Sequence, residues 1–374
     1  MCSSLHFFRK VRQTPSAGPV NAGGQDQTGD LLEAVRLAAA ERRTLAISGG
    51  GSKRFYGRRI SADRTLSLAG HSGIVTYEPS ELVLTARAGT PLLAIESLLD
   101  RHGQMLGFEP PHFGPAATLG GTIACGLSGP RRPFAGAARD AVLGVKLING
   151  RGDPLAMGGR VLKNVAGFDV ARLMVGAQGT LGVLLEISLR VLPKPETELT
   201  VAIECDQARA MEHMRRLQRQ DWPISGLAFA DGRLLMRLAG AERAVAAAVA
   251  RLGGDAVTAG AEFWQALREQ QLPFFAQAGD LWRFSLPPAA PVKSHFEGAV
   301  IDWGGALRWL QDGTGGADPF VLARSLGGHA CLFRGAGPSR WQPLAAPLLA
   351  LHRRIKSAFD PDRILNPGRY ADDW

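Results

Sequence analysis

The sequence predicts an α+β protein with two domains. The chain has 374 residues, of which 45% are hydrophobic, and this is enough for two cores of ordinary size. Strand and helix patterns alternate along the chain, and the order strand, helix, strand, strand, helix after residue 197 is typical of an antiparallel sheet. Many of the 46 glycines lie in short segments of the first half. Glycine lets backbone approach a ligand closely, so we expect a ligand site there.

The composition excludes several classes of protein. No uninterrupted apolar run reaches the roughly 20 residues of a membrane helix. The four cysteines, Cys2, Cys125, Cys205 and Cys331, are far apart, which argues against a zinc ribbon, an iron–sulfur cluster held by this chain and a disulfide framework. Basic residues outnumber acidic ones by 43 to 34 but are scattered. This predicts a solvated basic surface, with an acidic ligand or partner as the alternative, and no nucleic-acid site.

We divide the chain at changes in composition. Residues 1–28 are expected to form a flexible tail, and residues 29–195 the first domain. Pro193 and Pro195 follow a long strand pattern and mark the boundary. Residues 196–345 would form the second domain, and residues 346–374 a C-terminal helix and segment that return to the first domain.

The sequence pattern of the first domain predicts short helices between strands. Asp30 is the expected N-cap of a helix over 31–43, and Thr90 the expected N-cap of a second helix with Pro91 in its first position. Residues 107–136 show little periodicity. The predicted strands are Leu45–Ile47, Ile74–Tyr77, Leu82–Ala86, Ala141–Ile148 and Leu181–Leu192.

The second domain shows clear local signals. Thr200–Glu204 has a strand pattern, residues 207–219 form an amphipathic helical pattern, and Asp231-Gly232 between two apolar runs predicts a hairpin. Residues 242–252 follow as an Ala/Val-rich helix, and Leu348–Phe359 is predicted to be the last helix of the chain.

Three glycine-rich segments carry the chemical signal. The first, Ser48–Lys53 (SGGGSK), follows a strand, and its glycines can turn several N–H groups toward one anion. Its spacing matches neither a P-loop nor a GxGxxG helix start, and a structural turn is the alternative. The second is Thr118–Thr122 (TLGGT) and the third is Gly176–Val183 (GAQGTLGV). Both would let backbone lie against a flat or anionic ligand.

In this order the segments resemble the FAD-binding domain of the vanillyl-alcohol oxidase and p-cresol methylhydroxylase (PCMH) family, over residues 28–195. The stretches Val161–Val170 (VLKNVAGFDV), Asp302–Trp309 (DWGGALRW) and Ile364–Gly368 (ILNPG) narrow the likeness to the FAD-binding subunits of bacterial glycolate oxidases. The resemblance implies a PCMH-type FAD-binding domain of two α+β subdomains, followed by an α+β cap domain with an antiparallel sheet.

The resemblance implies noncovalent FAD and assigns its contacts. The first glycine loop and the Gly-Gly segment would bind the pyrophosphate, and backbone near the last strand would meet the adenine or the flavin. The residues assigned to the cofactor are Ile47, Ser48, Gly49, Gly50, Gly51, Ser52, Lys53, Gly57, Glu109, Pro110, Thr118, Leu119, Gly120, Gly121, Thr122, Ala124, Gly182, Val183 and Asn366. Covalent attachment of FAD at His71 or Cys125 is the alternative. Otherwise, His71 is an ordinary loop histidine and Cys125 is a small buried residue.

Catalytic residues are harder to assign. Family members that oxidise 2-hydroxy acids carry a late His-Gly-Asp-Gly-Asn-type motif, of which this chain keeps only His329. A lone histidine without a neighbouring carboxylate has nothing to orient its tautomer. Arg308 and Arg334 are candidates for gripping a substrate carboxylate, with a surface or interface arginine as the alternative. No histidine cluster has metal-ligand spacing, so we expect no metal site.

The implied function is that of the FAD-binding subunit of a multisubunit glycolate oxidase. Glycolate, with D-lactate as a second candidate, would be oxidised to the 2-oxo acid, and electrons would pass through flavin to an iron–sulfur subunit. The implied partners are that subunit and a companion FAD-containing catalytic subunit. A non-catalytic subunit that assembles the complex and a self-sufficient oxidase of another small alcohol stay open. The expected location is cytoplasmic, with peripheral association at the inner membrane as an alternative.

Overall fold

The computed structural model describes residues 24–159, 169–292, 294–312, 314–337 and 340–371. Cys2, most of the predicted tail and most of the motif Val161–Val170 lie outside these residues. The helices are α1 (Thr28–Glu41), α2 (Leu92–Asp100), α3 (Leu119–Cys125), α4 (Arg132–Ala135), α5 (Ala138–Ala141), α6 (Val170–Leu173), α7 (Gln207–Leu217), α8 (Glu242–Leu252), α9 (Gly260–Arg268), α10 (Pro319–Ser325) and α11 (Ala346–Phe359). No described helix is long and apolar enough to cross a membrane.

The first half of the chain is built on a five-stranded antiparallel sheet with the order β3-β4-β8-β6-β7. A parallel pair, β1 and β2, lies beside it, and β5 pairs with β9. The strands are β1 (Leu45–Ser48), β2 (Arg64–Ser67), β3 (Ile74–Glu78), β4 (Val83–Arg87), β5 (Gln104–Met105), β6 (Val142–Ile148), β7 (Pro154–Gly158), β8 (Val183–Arg190) and β9 (Leu192–Pro193). Leu31 of α1, Leu99 of α2 and Ile187 of β8 belong to one buried core, because each element turns its apolar side inward.

Both predicted helix starts are wrong in detail. Helix α1 begins at Thr28, with Gln27 in the N-cap position and Asp30 in the first turn. The carboxylate of Asp26 accepts from the backbone N–H of Thr28 at 3.0 Å. Helix α2 begins after Pro91, because the Thr90 hydroxyl bonds the backbone of Gly73 and the carbonyl of Arg87 instead of capping the helix.

The aperiodic stretch over residues 107–136 contains two helices, α3 and α4, that its sequence pattern does not predict. Helix α3 begins at the second glycine segment, where the hydroxyl of Thr118 accepts from the N–H of Gly121 at 3.3 Å. The side chains of Leu119 and Ile123 are fully buried. Two adjacent glycines weaken a helix by their own propensity, so burial of this apolar face stabilises it.

The second half is built on an eight-stranded antiparallel sheet with the order β13-β10-β12-β11-β15-β16-β14-β17. Asp231 and Gly232 both have positive φ, as a tight hairpin turn requires, and β11 and β12 pair across that turn. The α+β class with an antiparallel second sheet is therefore confirmed. The strands are β10 (Thr197–Glu204), β11 (Ile224–Ala230), β12 (Arg233–Gly240), β13 (Asp255–Ala256), β14 (Leu281–Ser285), β15 (Val300–Asp302), β16 (Leu307–Gln311) and β17 (His329–Arg334).

The C-terminal segment packs against the first half of the molecule. The N–H of Leu45 donates to the carbonyl of Ile364 at 2.7 Å, and the N–H of Asn366 donates to the carbonyl of Leu45 at 2.9 Å. At the end of α11, the buried Lys356 pairs with the buried Asp360 at 2.6 Å. Residues more than 300 positions apart are thus joined beside β1.

Candidate cofactor site

A cleft of about 420 Å³ opens where β1, the start of α3, the loop 178–182 and the C-terminal segment meet. The three glycine segments, which are far apart in the sequence, converge here. The predicted cofactor residues that line the cleft are Ile47, Ser48, Gly49, Gly50, Gly51, Ser52, Lys53, Thr118, Gly120, Gly121, Ala124, Gly182 and Asn366.

The glycines of the cleft lie where a side chain has no room. A Cβ at Gly50 would lie 1.5 Å from the carbonyl oxygen of Ala116, and one at Gly49 would lie 2.3 Å from the hydroxyl of Thr118. A Cβ at Gly120 would lie 2.7 Å from that of Ala88. At Gly50 the first glycine loop therefore packs backbone against backbone on the segment before α3, and at Gly49 it packs against the side chain of Thr118.

Lys53 places a buried positive charge in the cleft wall. Its side chain is 5% exposed, and its ammonium donates to the carbonyl of His112 at 3.2 Å and contacts the hydroxyl of Ser52 at 3.4 Å. Burial lowers the pKa of Lys53. This lysine forms no ion pair with a carboxylate of the described residues, and a buried cation of this kind favours an anionic ligand.

Asn366 and Arg369 close one end of the cleft. The side-chain oxygen of Asn366 accepts from the N–H of Ile47 at 2.7 Å, and its amide donates to the carbonyl of Gln178 at 2.6 Å. Arg369 donates to the side chain of Gln178 at 2.6 Å and to the carbonyl of Arg58 at 2.7 Å. Gln178 and Arg369 both line the cleft and were missed. Gln178 lies within the third glycine segment and Arg369 directly follows Asn-Pro-Gly, and these positions could have indicated that both residues line the site.

Six predicted cofactor residues lie outside the cleft lining: Gly57, Glu109, Pro110, Leu119, Thr122 and Val183. Thr122 is fully buried, and Leu119 and Val183 belong to the first core.

The carboxylate of Glu109 instead joins a cluster between the two halves of the chain. It pairs with Arg131 at 3.1 Å and with Arg237 at 2.8 Å. Burial opposes ionisation of Glu109, but the two guanidinium groups outweigh it and hold its pKa below the usual range.

The three catalytic candidates also lie outside the cleft lining. Arg308 is fully buried and donates to the carbonyls of Pro291 and Ala290 at 3.0 and 2.6 Å. Arg334 donates to the side chain of Gln270 at 2.8 Å. His329 lies at the exposed start of β17. Among the described residues, the cleft lining contains no histidine, aspartate or glutamate.

The two candidates for covalent attachment differ in access. Both ring nitrogens of His71 are engaged, since Nδ1 accepts from the N–H of Gln27 at 3.1 Å and Nε2 donates to the carbonyl of Leu185 at 3.2 Å. Cys125 lines the cleft, but burial raises the pKa of its thiol. The thiolate, which is the nucleophilic form, is therefore disfavoured. The described part of the chain holds no group of three or more potential metal ligands.

Comparisons with known proteins agree with this geometry. Residues 26–158 match the family described as FAD binding domain, and residues 344–370 match FAD linked oxidases, C-terminal domain. The chain is 49% identical to glycolate oxidase subunit GlcE of Escherichia coli (strain K12), over 93% of this chain and 98% of that protein. It is 29% identical to glycolate oxidase subunit GlcD of Bacillus subtilis (strain 168), over 46% of this chain and 37% of that protein.

A solved structure of p-cresol methylhydroxylase with substrate bound has the same fold, with a TM-score of 0.67 over 94% of this chain and 88% of that one, at 15% identity. The chain therefore belongs to the family of glycolate oxidase subunit GlcE, and it is an FAD-binding protein with the p-cresol methylhydroxylase-type fold.

Proposed function

We propose that this chain holds FAD noncovalently in the cleft, as one subunit of a complex that oxidises glycolate to the 2-oxo acid. The observation that carries the proposal is the convergence of three glycine segments and the buried Lys53 on one cleft, in a chain of the glycolate oxidase subunit family. When bound, FAD supplies an acceptor for a hydride equivalent.

The residues of the cleft fit the diphosphate of the cofactor. The glycines at 49–51 and 120–121 carry no side chains that would keep a phosphate away, and Ser52 adds a hydroxyl to the lining. Lys53 adds a positive charge, and its attraction to a phosphate is stronger in this buried setting than it would be in water. Asn366 and Gln178 hold the loops in register through the bonds described above, so the site needs little rearrangement to accept its ligand.

We infer that glycolate oxidation needs a companion FAD-containing subunit, and that the flavin of this chain relays electrons to an iron–sulfur subunit. Removing hydrogen from a 2-hydroxy acid requires a base near the reacting carbon. The described lining of the cleft offers lysine, arginine and cysteine but no histidine or carboxylate. D-lactate would follow the same route, and association with the inner membrane would come through the complex.

The second candidate function is a subunit that binds FAD only to complete its fold and serves to assemble the complex. The position of His329 favours it, since this histidine is exposed and does not line the cleft. A self-sufficient oxidase of another small alcohol fits less well, because it would need its own base.

An anaerobic spectral titration separates these functions. The chain is purified alone, its visible spectrum is recorded, and glycolate is added before and after the companion FAD-containing and iron–sulfur subunits. We expect flavin absorbance that glycolate bleaches only once the companions are present. Absence of flavin would contradict the cofactor site, and bleaching of the lone chain would contradict the relay. Flavin that stays oxidised in an active complex would support the assembly role.

Acid precipitation of the same sample tests the attachment. Noncovalent FAD stays in the supernatant, whereas yellow colour in the pellet would show a covalent link.

A further inference from the structure

We propose that the apolar face of α11 and the groove beside it form the docking surface for a companion subunit, whose contacting segment is apolar and acidic. This inference rests on the proposed function, because it assumes that the chain works within a complex. The docking surface is defined by the stripe Leu344, Leu348 and Leu351 together with the groove that it borders.

Helix α11 is poorly covered by its own chain. It has 14 residues, and the only buried one is Lys356. Leu348 and Leu351 are 44% and 47% exposed, and Leu344 just before the helix is 41% exposed. Isolated helices of this length are marginal in water, and most owe their stability to packing of an apolar face. The stripe repeats at intervals of four and three residues, which places it on one face that a partner can cover.

The groove beside the stripe is a concave surface that can accept a protruding segment of a partner. It encloses about 1150 Å³ between α11, the segment 173–181 and β17. Leu173, which is 37% exposed, also lines the groove. A protruding helix or loop can fill such a concave surface, whereas a flat bilayer surface contacts only its rims. Contiguous exposed apolar surface of this kind is typical of protein contacts.

The charges around the groove select an acidic partner. Arg283 and Arg324 line it, and its described lining contains no aspartate or glutamate. Helix α11 itself has no acidic residue between 346 and 359. A second copy of this chain would bring the same net charge of +9, which opposes association. An acidic segment complements the groove and would speed encounter.

The docking surface lies next to the cofactor cleft. Arg369 lines the cleft and Tyr370 lines the groove, so consecutive residues form the wall between them. Tyr56 also lines the groove, and its carbonyl accepts from Arg369. A partner seated in the groove would therefore lie next to the cofactor cleft.

Binding of the FAD-loaded chain to the immobilised pair of companion FAD-containing and iron–sulfur subunits tests the proposal. We expect Leu348→Glu with Leu351→Glu to weaken binding at least 100-fold. The control is Leu93→Glu with Leu199→Glu, whose leucines are both 48% exposed and lie on α2 and β10 away from the groove. FAD content per chain and Tm should stay at wild-type values in both. Wild-type affinity in the stripe variant, or equal weakening by both pairs, would overturn the proposal.

A charge reversal tests the same surface without changing its leucines. Arg324 is exposed, and we expect Arg324→Glu to weaken binding about tenfold at low salt and less at high salt. The control is Arg243→Glu, at an exposed arginine of α8.

Two further assays test other occupants of the docking surface: binding of the chain to phosphatidylglycerol vesicles, and the molecular mass of the lone chain in solution. Vesicle binding or self-association that the stripe variant abolishes, with companion binding unchanged, would overturn the proposal. Absence of FAD in the wild-type chain would contradict the proposed function instead, and would leave the binding measurement readable.

Discussion

At Gly50, backbone approaches backbone so closely that even a methyl group has no room. The carbonyl oxygen of Ala116 occupies the position of a side chain, so the first glycine loop lies directly against the segment before α3. The second glycine segment then completes the cleft. The geometry that brings the two loops together is thus also the geometry that exposes their peptide groups to a ligand.

Gly50→Ala is expected to weaken FAD binding at least tenfold, because the loop must move away from Ala116 to accept the Cβ. Tm of the protein freed of FAD should fall by only a few degrees, since the loop is half-exposed. Fluorescence titration of the stripped protein with FAD measures the affinity. Gly29→Ala is the control, because no atom lies within 4 Å of a Cβ there. An unchanged affinity in Gly50→Ala would contradict the backbone cradle.

At the scale of elements, the end of α11 is tied down by a buried ion pair. The ammonium of Lys356 contacts Asp360, the carbonyl of Thr180 at 2.8 Å and the carbonyl of Leu365 at 3.1 Å. The carboxylate of Asp360 also accepts from the N–H groups of Ile364 and Leu365 at 3.0 and 2.8 Å. These bonds hold the segment that carries Asn366 to the cleft.

Lys356→Met should lower the free energy of unfolding by about 3–5 kcal/mol, because it leaves Asp360 buried without its cation. FAD affinity should fall with it, since Asn366 is displaced. Lys146→Met is the matched control. Lys146 also pairs with a carboxylate, that of Glu186 at 3.0 Å, but its side chain is 51% exposed, so we expect a loss of no more than about 1 kcal/mol. Urea denaturation measures both, and equal losses would contradict the role of the buried pair.

At the scale of the whole molecule, a charge cluster joins the two halves of the chain. Glu109 and Arg131 come from the first half, and Arg237 and Glu198 come from strands of the second. Asp302 is buried beside them, and desolvation raises its pKa to about 7 despite the hydrogen bond from the N–H of Trp303 and the charges of Arg237 and Arg283. The molecule therefore couples its domain contact to the protonation of one carboxyl group.

Asp302 contributes to the free energy of unfolding, and this contribution declines as pH rises. The folded protein keeps this proton up to about pH 7, whereas the unfolded chain releases it near its ordinary pKa of about 4. The stabilisation is complete below pH 4 and declines by roughly 4 kcal/mol as pH rises to 7. Asp302→Asn keeps the oxygen that accepts from Trp303 and should lack this decline, as thermal unfolding between pH 4 and 8 will show. Asp231→Asn, at an exposed turn, should retain it.

The limits of prediction follow from how each contact is made. The hairpin at Asp231-Gly232 and helix α7 depend on neighbouring residues, and their patterns predicted them. Helix α3 was missed because its glycines disfavour a helix locally, and packing of Leu119 and Ile123 against the first core overrides that preference. Glu109 was assigned to the cofactor by its place beside a motif, whereas its carboxylate faces Arg131 and Arg237.

The sequence by itself determined the two α+β halves, the glycine segments and the family, because these depend on residue type and on spacing over short distances. The tertiary structure decided which of those residues face the cleft, how Gln178 meets Arg369 across 191 positions, and that α11 keeps an apolar stripe uncovered. The reason is physical. Burial and hydrogen bonding between distant segments depend on which parts of the chain lie side by side in space, and a local sequence pattern does not specify this.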